Sequence, residues 1–204
     1  MGEKDNKKYR QAVLRRETGE TDITVCLNLD GTGQAEVQTG IGFFDHMLHL
    51  LAKHALCDLS VQVERGDLEV DGHHMVEDTG IVLGQLIDRL LSDKSGLCRY
   101  GHFYLPMDET LARAVVDLSG RPYLSFNAEF SGAGCGRFDS ELVEEFFRAL
   151  AFNARLTLHL DLFRGGNTHH EIEALFKAFA RAFRQAISRD EREPGIPSSK
   201  GVLV

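Results

Sequence analysis

The pattern His-His-x-x-Glu occurs twice in this chain, as His73-His74-Met75-Val76-Glu77 and as His169-His170-Glu171-Ile172-Glu173. The hydrophobic periodicity leading into each copy runs in the same order. Phe43, Phe44, Met47, Leu48, Leu50 and Leu51 form a helical stripe starting after Gly42, then Leu59, Val61 and Val63 alternate as a strand. A second stripe follows through Val76, Gly80, Ile81, Leu83, Gly84, Ile87 and Leu90. In the other half a helix from about Asp139 to Asn153 precedes the alternating Leu156, Leu158 and Leu160, and a last helix carries Ile172, Leu175, Phe176, Phe179, Ala182, Phe183 and Ile187. Such a chain is an internal duplication, so each half must form the same helix-strand-helix unit.

Strands precede these units. Ile23, Val25, Leu27 and Leu29 alternate within the stretch from Tyr9 to Gln38, where Asp30-Gly31-Thr32-Gly33 reads as a hairpin turn, and Arg99–Tyr104, Leu111–Asp117 and Tyr123–Phe130 read as strands in the second half. The predicted class is α+β: an internally duplicated unit with two mostly antiparallel sheets and helices packed between them. The half-repeats are residues 1–95 and 96–204, with the boundary near Lys94–Leu97. No obvious linker separates them, so they pack as one unit. The tail Pro194–Ser199 reads as loop.

With 43% hydrophobic residues among 204 the chain can bury a substantial core. Acidic residues outnumber basic ones by 31 to 23, for a net charge of −8, which disfavours a nucleic-acid phosphate backbone as partner. Cys26, Cys57, Cys98 and Cys135 form no C-x-x-C pair and read as reduced, mostly buried thiols. The segment Met1–Asn6 is polar and lacks an apolar targeting core, Asn6 breaks a myristoylation pattern, and no apolar run reaches membrane-spanning length. These features predict a soluble, cytoplasmic protein with no membrane partner.

The repeated motif carries the chemistry. On a helix His73 and Glu77 share a face, whereas His74 diverges by about 100° and suits a second ion, or the same ion held from another subunit. His169, His170 and Glu173 repeat the arrangement. Imidazole nitrogen with carboxylate oxygen suits Mn, Fe, Co or Zn, and the absence of nearby cysteine disfavours structural zinc. His46, on the preceding helix, is a further ligand candidate, and Glu145 is its positional counterpart. His49, His54, His102 and His159 read as structural. Asp78 either orients a ligand histidine or stands as an exposed helix charge. No glycine-rich phosphate loop is present, so a phosphate must meet side chains, for which Arg99, Arg121, Lys177 and Lys200 with Ser198 and Ser199 are candidates. Spacing alone does not separate these cations from solvated surface ones.

The segments FFDHMLHLLAKH, DGHHMVEDTG, SGRPY, NTHHEIEALFKAFARA and PSSKG together resemble the imidazoleglycerol-phosphate dehydratase family of histidine biosynthesis. The resemblance runs in order from about Arg15 to Val204, without the phosphatase domain fused to some members. It implies conversion of D-erythro-imidazole glycerol phosphate to imidazole acetol phosphate and water, two Mn²⁺ per subunit, and self-assembly through trimers into a hollow 24-mer with metals at subunit contacts. It carries over His46, His73, His74, Glu77, His169, His170 and Glu173 as ligands. Glu145 stands where many relatives have histidine, so either its carboxylate ligates or water does. Glu171 fills a position the motif leaves open and reads as a surface carboxylate. Glu20 matches a substrate-contacting glutamate, and Arg99, Arg121, Lys177, Ser198, Ser199 and Lys200 match substrate or phosphate contacts.

The implied reaction removes a proton from an unactivated carbon. Two ions flanking the ring would hold it as an imidazolate able to expel the neighbouring hydroxyl, after which a carboxylate takes the carbon proton. Glu20 is the candidate base, with Glu77, Glu173 or a metal-bound water as alternatives. A dinuclear phosphoesterase would use the same ligands and release phosphate. A metal-storage shell would leave Arg99, Arg121 and Ser198-Ser199-Lys200 unexplained.

Overall fold

Alternating burial fixes the inner face of each sheet. In the computed structural model, which describes residues 10–203, the first sheet contains β1 (Gln11–Glu17), β2 (Asp22–Asn28), β3 (Ala35–Gln38) and β4 (Asp58–Arg65) in the order β1-β2-β4-β3. The readings made on Met1–Asn6 and on Tyr9 lie outside the described residues. The second sheet repeats the connectivity with β5 (Tyr100–Met107), β6 (Thr110–Asp117), β7 (Tyr123–Asn127) and β10 (Thr157–Arg164) in the order β5-β6-β10-β7. Each sheet is antiparallel except for one parallel pairing, β3 with β4 and β7 with β10. Ile23, Val25 and Leu27 point inward from β2, and Ala112, Ala114 and Val116 from β6. A small hairpin unforeseen in the sequence, β8 (Gly134–Cys135) with β9 (Phe138–Asp139), follows β7.

Between the sheets lie α1 (Gly42–Ala55), α2 (His73–Leu91), α3 (Glu141–Asn153) and α4 (Thr168–Ala186). Helix α1 packs on β3 and β4, and α2 on β1 and β2, while α4 covers β5 and β6 and α3 meets β7. Their inner sides close on each other, α1 against α4 and α2 against α3. The layers therefore run sheet, helices, helices, sheet, as the α+β reading predicts. Buried aromatic rings fill the seam: Phe146 stacks on Phe176 at 5.3 Å and meets Phe44 edge-on at 5.4 Å, joining α1, α3 and α4. Helices α2 and α3 approach most closely at two glycines. A Cβ on Gly80 would lie 2.7 Å from the Phe146 carbonyl oxygen, and one on Gly84 would lie 2.6 Å from that of Leu150.

Three expectations are corrected. Asp30-Gly31-Thr32-Gly33 is not a hairpin turn, because β4 lies between β2 and β3 and pairs with both. The loop instead folds over the start of β4, where Asp58 Oδ1 accepts the Thr32 amide at 2.8 Å and the Gln34 amide at 3.1 Å. The strand from Tyr123 ends at Asn127 rather than Phe130. All four cysteines are free, but only Cys57 is buried, and its thiol is pushed up to about 12 by desolvation. Among the described residues no helix is long and apolar enough to cross a membrane.

Candidate active site

The second copy of the motif opens α4. The Asn167 side chain caps the helix by accepting from the amides of His169 at 3.0 Å and His170 at 3.3 Å, which sets His169 and Glu173 one turn apart on one face. His169 Nε2 lies 3.1 Å from Glu173 Oε2. His46 Nε2, arriving from α1, lies 3.1 Å from the same oxygen. The three donor atoms all fall within 4.8 Å of one another. Phe43 braces both imidazoles, with its ring centroid 5.1 Å from that of His169 and 6.5 Å from that of His46.

Glu173 is only 6% exposed, while His46 and His169 face solvent. Burial alone would push its carboxyl up. Hydrogen bonds from Lys177 and the two histidines outweigh that and hold it below the usual carboxylate range. Lys177 takes Oε1, the oxygen turned away from the histidines. Two imidazole nitrogens and an ionised carboxylate oxygen converging from an exposed rim fit a transition-metal ion, with coordination places left for other ligands.

The first copy opens α2. Asp71 Oδ1 accepts the His73 amide at 2.7 Å and starts the helix. His74 Nδ1 lies 3.0 Å from Asp67 Oδ2 and 3.9 Å from Glu20 Oε2, and its pKa is raised chiefly by the Asp67 hydrogen bond. The His73 and His74 rings stand nearly perpendicular at 89°, so adjacent residues of the motif do diverge. No group of three close donors among the described residues includes His73, Glu77 or Glu145. Glu145 lies 3.9 Å from Arg148. In α4, His170 turns away from His169 and meets Glu109, in the β5–β6 turn.

A separate cavity of about 380 Å³ is lined by Arg99, Arg121, Ser198, Ser199 and Lys200 with Val202 and Leu203. Arg99 is clamped by Asp117 at 2.7 Å through Nε and 3.2 Å through Nη2, while its Nη1 donates to the Pro197 carbonyl at 2.8 Å. The Ser198 hydroxyl accepts the Lys200 amide at 3.2 Å, turning the tail back over the cavity. Lys177 is not in this lining but stands with the Glu173 group.

Two further readings are corrected. Glu171 is no surface carboxylate: it is 1% exposed and accepts from the Ser131 amide at 2.8 Å, the Ser131 hydroxyl and the Gly166 amide at 2.7 Å. Asp78 neither orients a histidine nor stands exposed. It is buried between Arg16, whose Nε donates at 2.8 Å, and the Thr21 hydroxyl, tying α2 to the first sheet. Asp67, Glu109 and Asp117, which contact candidate site residues, went unnoticed in the sequence. Asp117 and Glu109 lie 18 and 61 residues from Arg99 and His170, Asp67 only seven from His74, and none of the three falls within a motif.

Comparison with known proteins points to one family. The family model described as imidazoleglycerol-phosphate dehydratase matches residues 39–183. The imidazoleglycerol-phosphate dehydratase of Staphylococcus carnosus is 59% identical over 189 residues, covering 93% of this chain and 97% of the relative. That of an Exiguobacterium species is 60% identical over 192 residues, covering 94% and 97%. The crystal structure of the Staphylococcus aureus dehydratase superimposes with a TM-score of 0.79 at 50% identity, covering 88% of this chain and 100% of that one. The Pyrococcus furiosus structure, in complex with (S)-C348, gives 0.80 at 34% identity, covering 93% and 100%. Together with the duplicated sheets and the histidine–carboxylate groups of α2 and α4, these matches show that the chain belongs to the imidazoleglycerol-phosphate dehydratase family.

Proposed function

We propose that this chain dehydrates D-erythro-imidazole glycerol phosphate to imidazole acetol phosphate in histidine biosynthesis, using two divalent ions per subunit, Mn²⁺ in the cytoplasm. The observation that carries this reading is the convergence of His46, His169 and Glu173 on one point in a chain that also builds a cationic cavity from Arg99, Arg121 and Lys200. One feature suits an ion and the other a phosphate. His46, His169 and Glu173 hold one ion. His73, His74, Glu77, His170 and, through its carboxylate, Glu145 are assigned to the remaining coordination, with donors combined across subunits of a 24-mer built from trimers. Half-repeats 1–95 and 96–204 act as one unit within each subunit.

Bound ions supply Lewis acidity to the imidazole ring. The protein's own groups do the rest. Arg99, Arg121, Ser198, Ser199 and Lys200 hold the phosphate, and Lys177 reaches the substrate with the ammonium hydrogens that Glu173 leaves free. Glu20 is the base: it is exposed, it sits beside His74, and among the described residues no lysine or arginine pairs with it. It takes the carbon-bound proton and passes it to the departing hydroxyl, which leaves as water, and the resulting enol ketonises. Glu77 and Glu173 are the other carboxylates able to serve, but Glu173 is already committed to Lys177 and two histidines.

The test is incubation of purified protein with imidazole glycerol phosphate and Mn²⁺. Ketone product without free phosphate is expected. Release of inorganic phosphate would instead identify a phosphoesterase.

A further inference from the structure

The second histidine of each motif copy is held in the same manner, by a carboxylate from its own sheet. His74 Nδ1 lies 3.0 Å from Asp67, in the loop leaving β4, and His170 Nδ1 lies 3.1 Å from both oxygens of Glu109, in the β5–β6 turn. An ionised carboxylate only accepts hydrogen bonds. Nδ1 therefore carries a hydrogen in both rings, and in the neutral ring, the form that binds metal, the lone pair is on Nε2.

The other cluster is arranged differently. His46 and His169 turn Nε2, not Nδ1, toward Glu173, and under the proposed function these nitrogens face the ion. Asp108, Glu109 and His170 also bring three donor atoms within 4.8 Å. There, however, Glu109 places its two oxygens evenly about Nδ1 and also accepts from the Thr110 hydroxyl at 3.2 Å, which is the setting of a hydrogen-bond acceptor. We propose that Asp67 and Glu109 are positioning residues, each fixing the ring plane and the Nδ1–H tautomer of its histidine so that Nε2 is presented to a metal ion. The inference rests on the reading of His74 and His170 as ligands.

The duplication explains why one device uses two different residues. Glu20, in the β1–β2 turn, occupies the place that Glu109 occupies in the β5–β6 turn. In the first half Asp67 fills the position at Nδ1, with a φ of 54°, a left-handed conformation aspartate tolerates, and Glu20 is left 3.9 Å away. One half thus spends its turn carboxylate on orienting a histidine. The other half leaves that carboxylate free.

The test uses the whole protein stripped of metal and titrated with Mn²⁺, reading free hydrated Mn²⁺ by electron paramagnetic resonance. Asp67→Ala and Glu109→Ala should each weaken one class of bound ion about 10- to 100-fold. Glu109→Gln, which keeps an acceptor oxygen at Nδ1, should weaken it less than Glu109→Ala, and His170→Ala marks the loss of a ligand itself. If His170→Ala loses an ion while Asp67→Ala and Glu109→Ala bind Mn²⁺ as the unaltered protein does, positioning is overturned and the ligand reading survives. Unchanged binding in His170→Ala would overturn both. A Glu109→Gln variant as damaged as His170→Ala would make Glu109 a direct ligand and also overturn the proposal.

Discussion

Asp117 grips Arg99 through two guanidinium nitrogens and so aims it at the cavity beneath the C-terminal tail. Arg99→Ala and Lys200→Ala should raise KM for imidazole glycerol phosphate by about 10- to 100-fold, the value of one to two charge-assisted hydrogen bonds, with a smaller change in kcat. The phosphate is remote from the reacting carbons, so its contacts persist through the reaction. Asp117→Ala should produce a milder rise of the same kind. Steady-state kinetics decide it: a large fall in kcat at constant KM would place these residues elsewhere.

Asp58 closes the β2–β3 loop. Burial pushes its carboxyl up, but the hydrogen bonds from Thr32, Gln34 and Asn28 outweigh that and leave it below the ordinary range. Asp58→Ala should destabilise the fold by about 1–3 kcal/mol at neutral pH. Because the folded pKa is depressed, the ionised carboxylate's contribution is fully present above the unfolded value of about 3.9 and fades as pH falls through the lower folded value. Urea midpoints of the variant and the parent should therefore converge on acidification, and a constant gap would contradict the assignment.

Gly84→Ala and Gly80→Ala push a methyl group into α3 backbone and should cost about 1–3 kcal/mol each. Gly42→Ala is the contrast, since a Cβ there meets nothing within 4 Å and alanine favours the helix. Thermal melts should rank Gly42→Ala at or above the parent, with the other two below it.

If bound ions activate the ring as proposed, chelation should abolish dehydration and Mn²⁺ should restore it. If ions also bridge subunits, light scattering should find smaller species in the stripped protein and in His74→Ala, with Mn²⁺ reversing the shift in the parent. Full activity without metal would refute the first expectation. One particle mass under all conditions would refute the second.

Periodicity was enough to place all four helices of the described residues, since each buries one apolar stripe, and the spacing of His169 and Glu173 announced their shared face. Non-local pairing was not legible. Nothing within Asp30-Gly31-Thr32-Gly33 tells that β4 will insert beside β2, and the partnership of Glu109 with His170 spans two elements of the second half. Glu171 is different, because a signal existed. It lies on the same stripe as Leu175, Ala178 and Ala182, all buried, and a carboxylate in that stripe required buried partners, here the loop amides of Ser131 and Gly166.

The seam where α2 meets α3 and α1 meets α4 makes each half the cover of the other. Each sheet shields only the outer side of its helices, so a half cut free would show Phe146, Phe176 and their neighbours to water. A second copy of the same half, applied face to face, is the surface best shaped to cover it. Either half alone would need such a partner surface, and within this chain the other half supplies it.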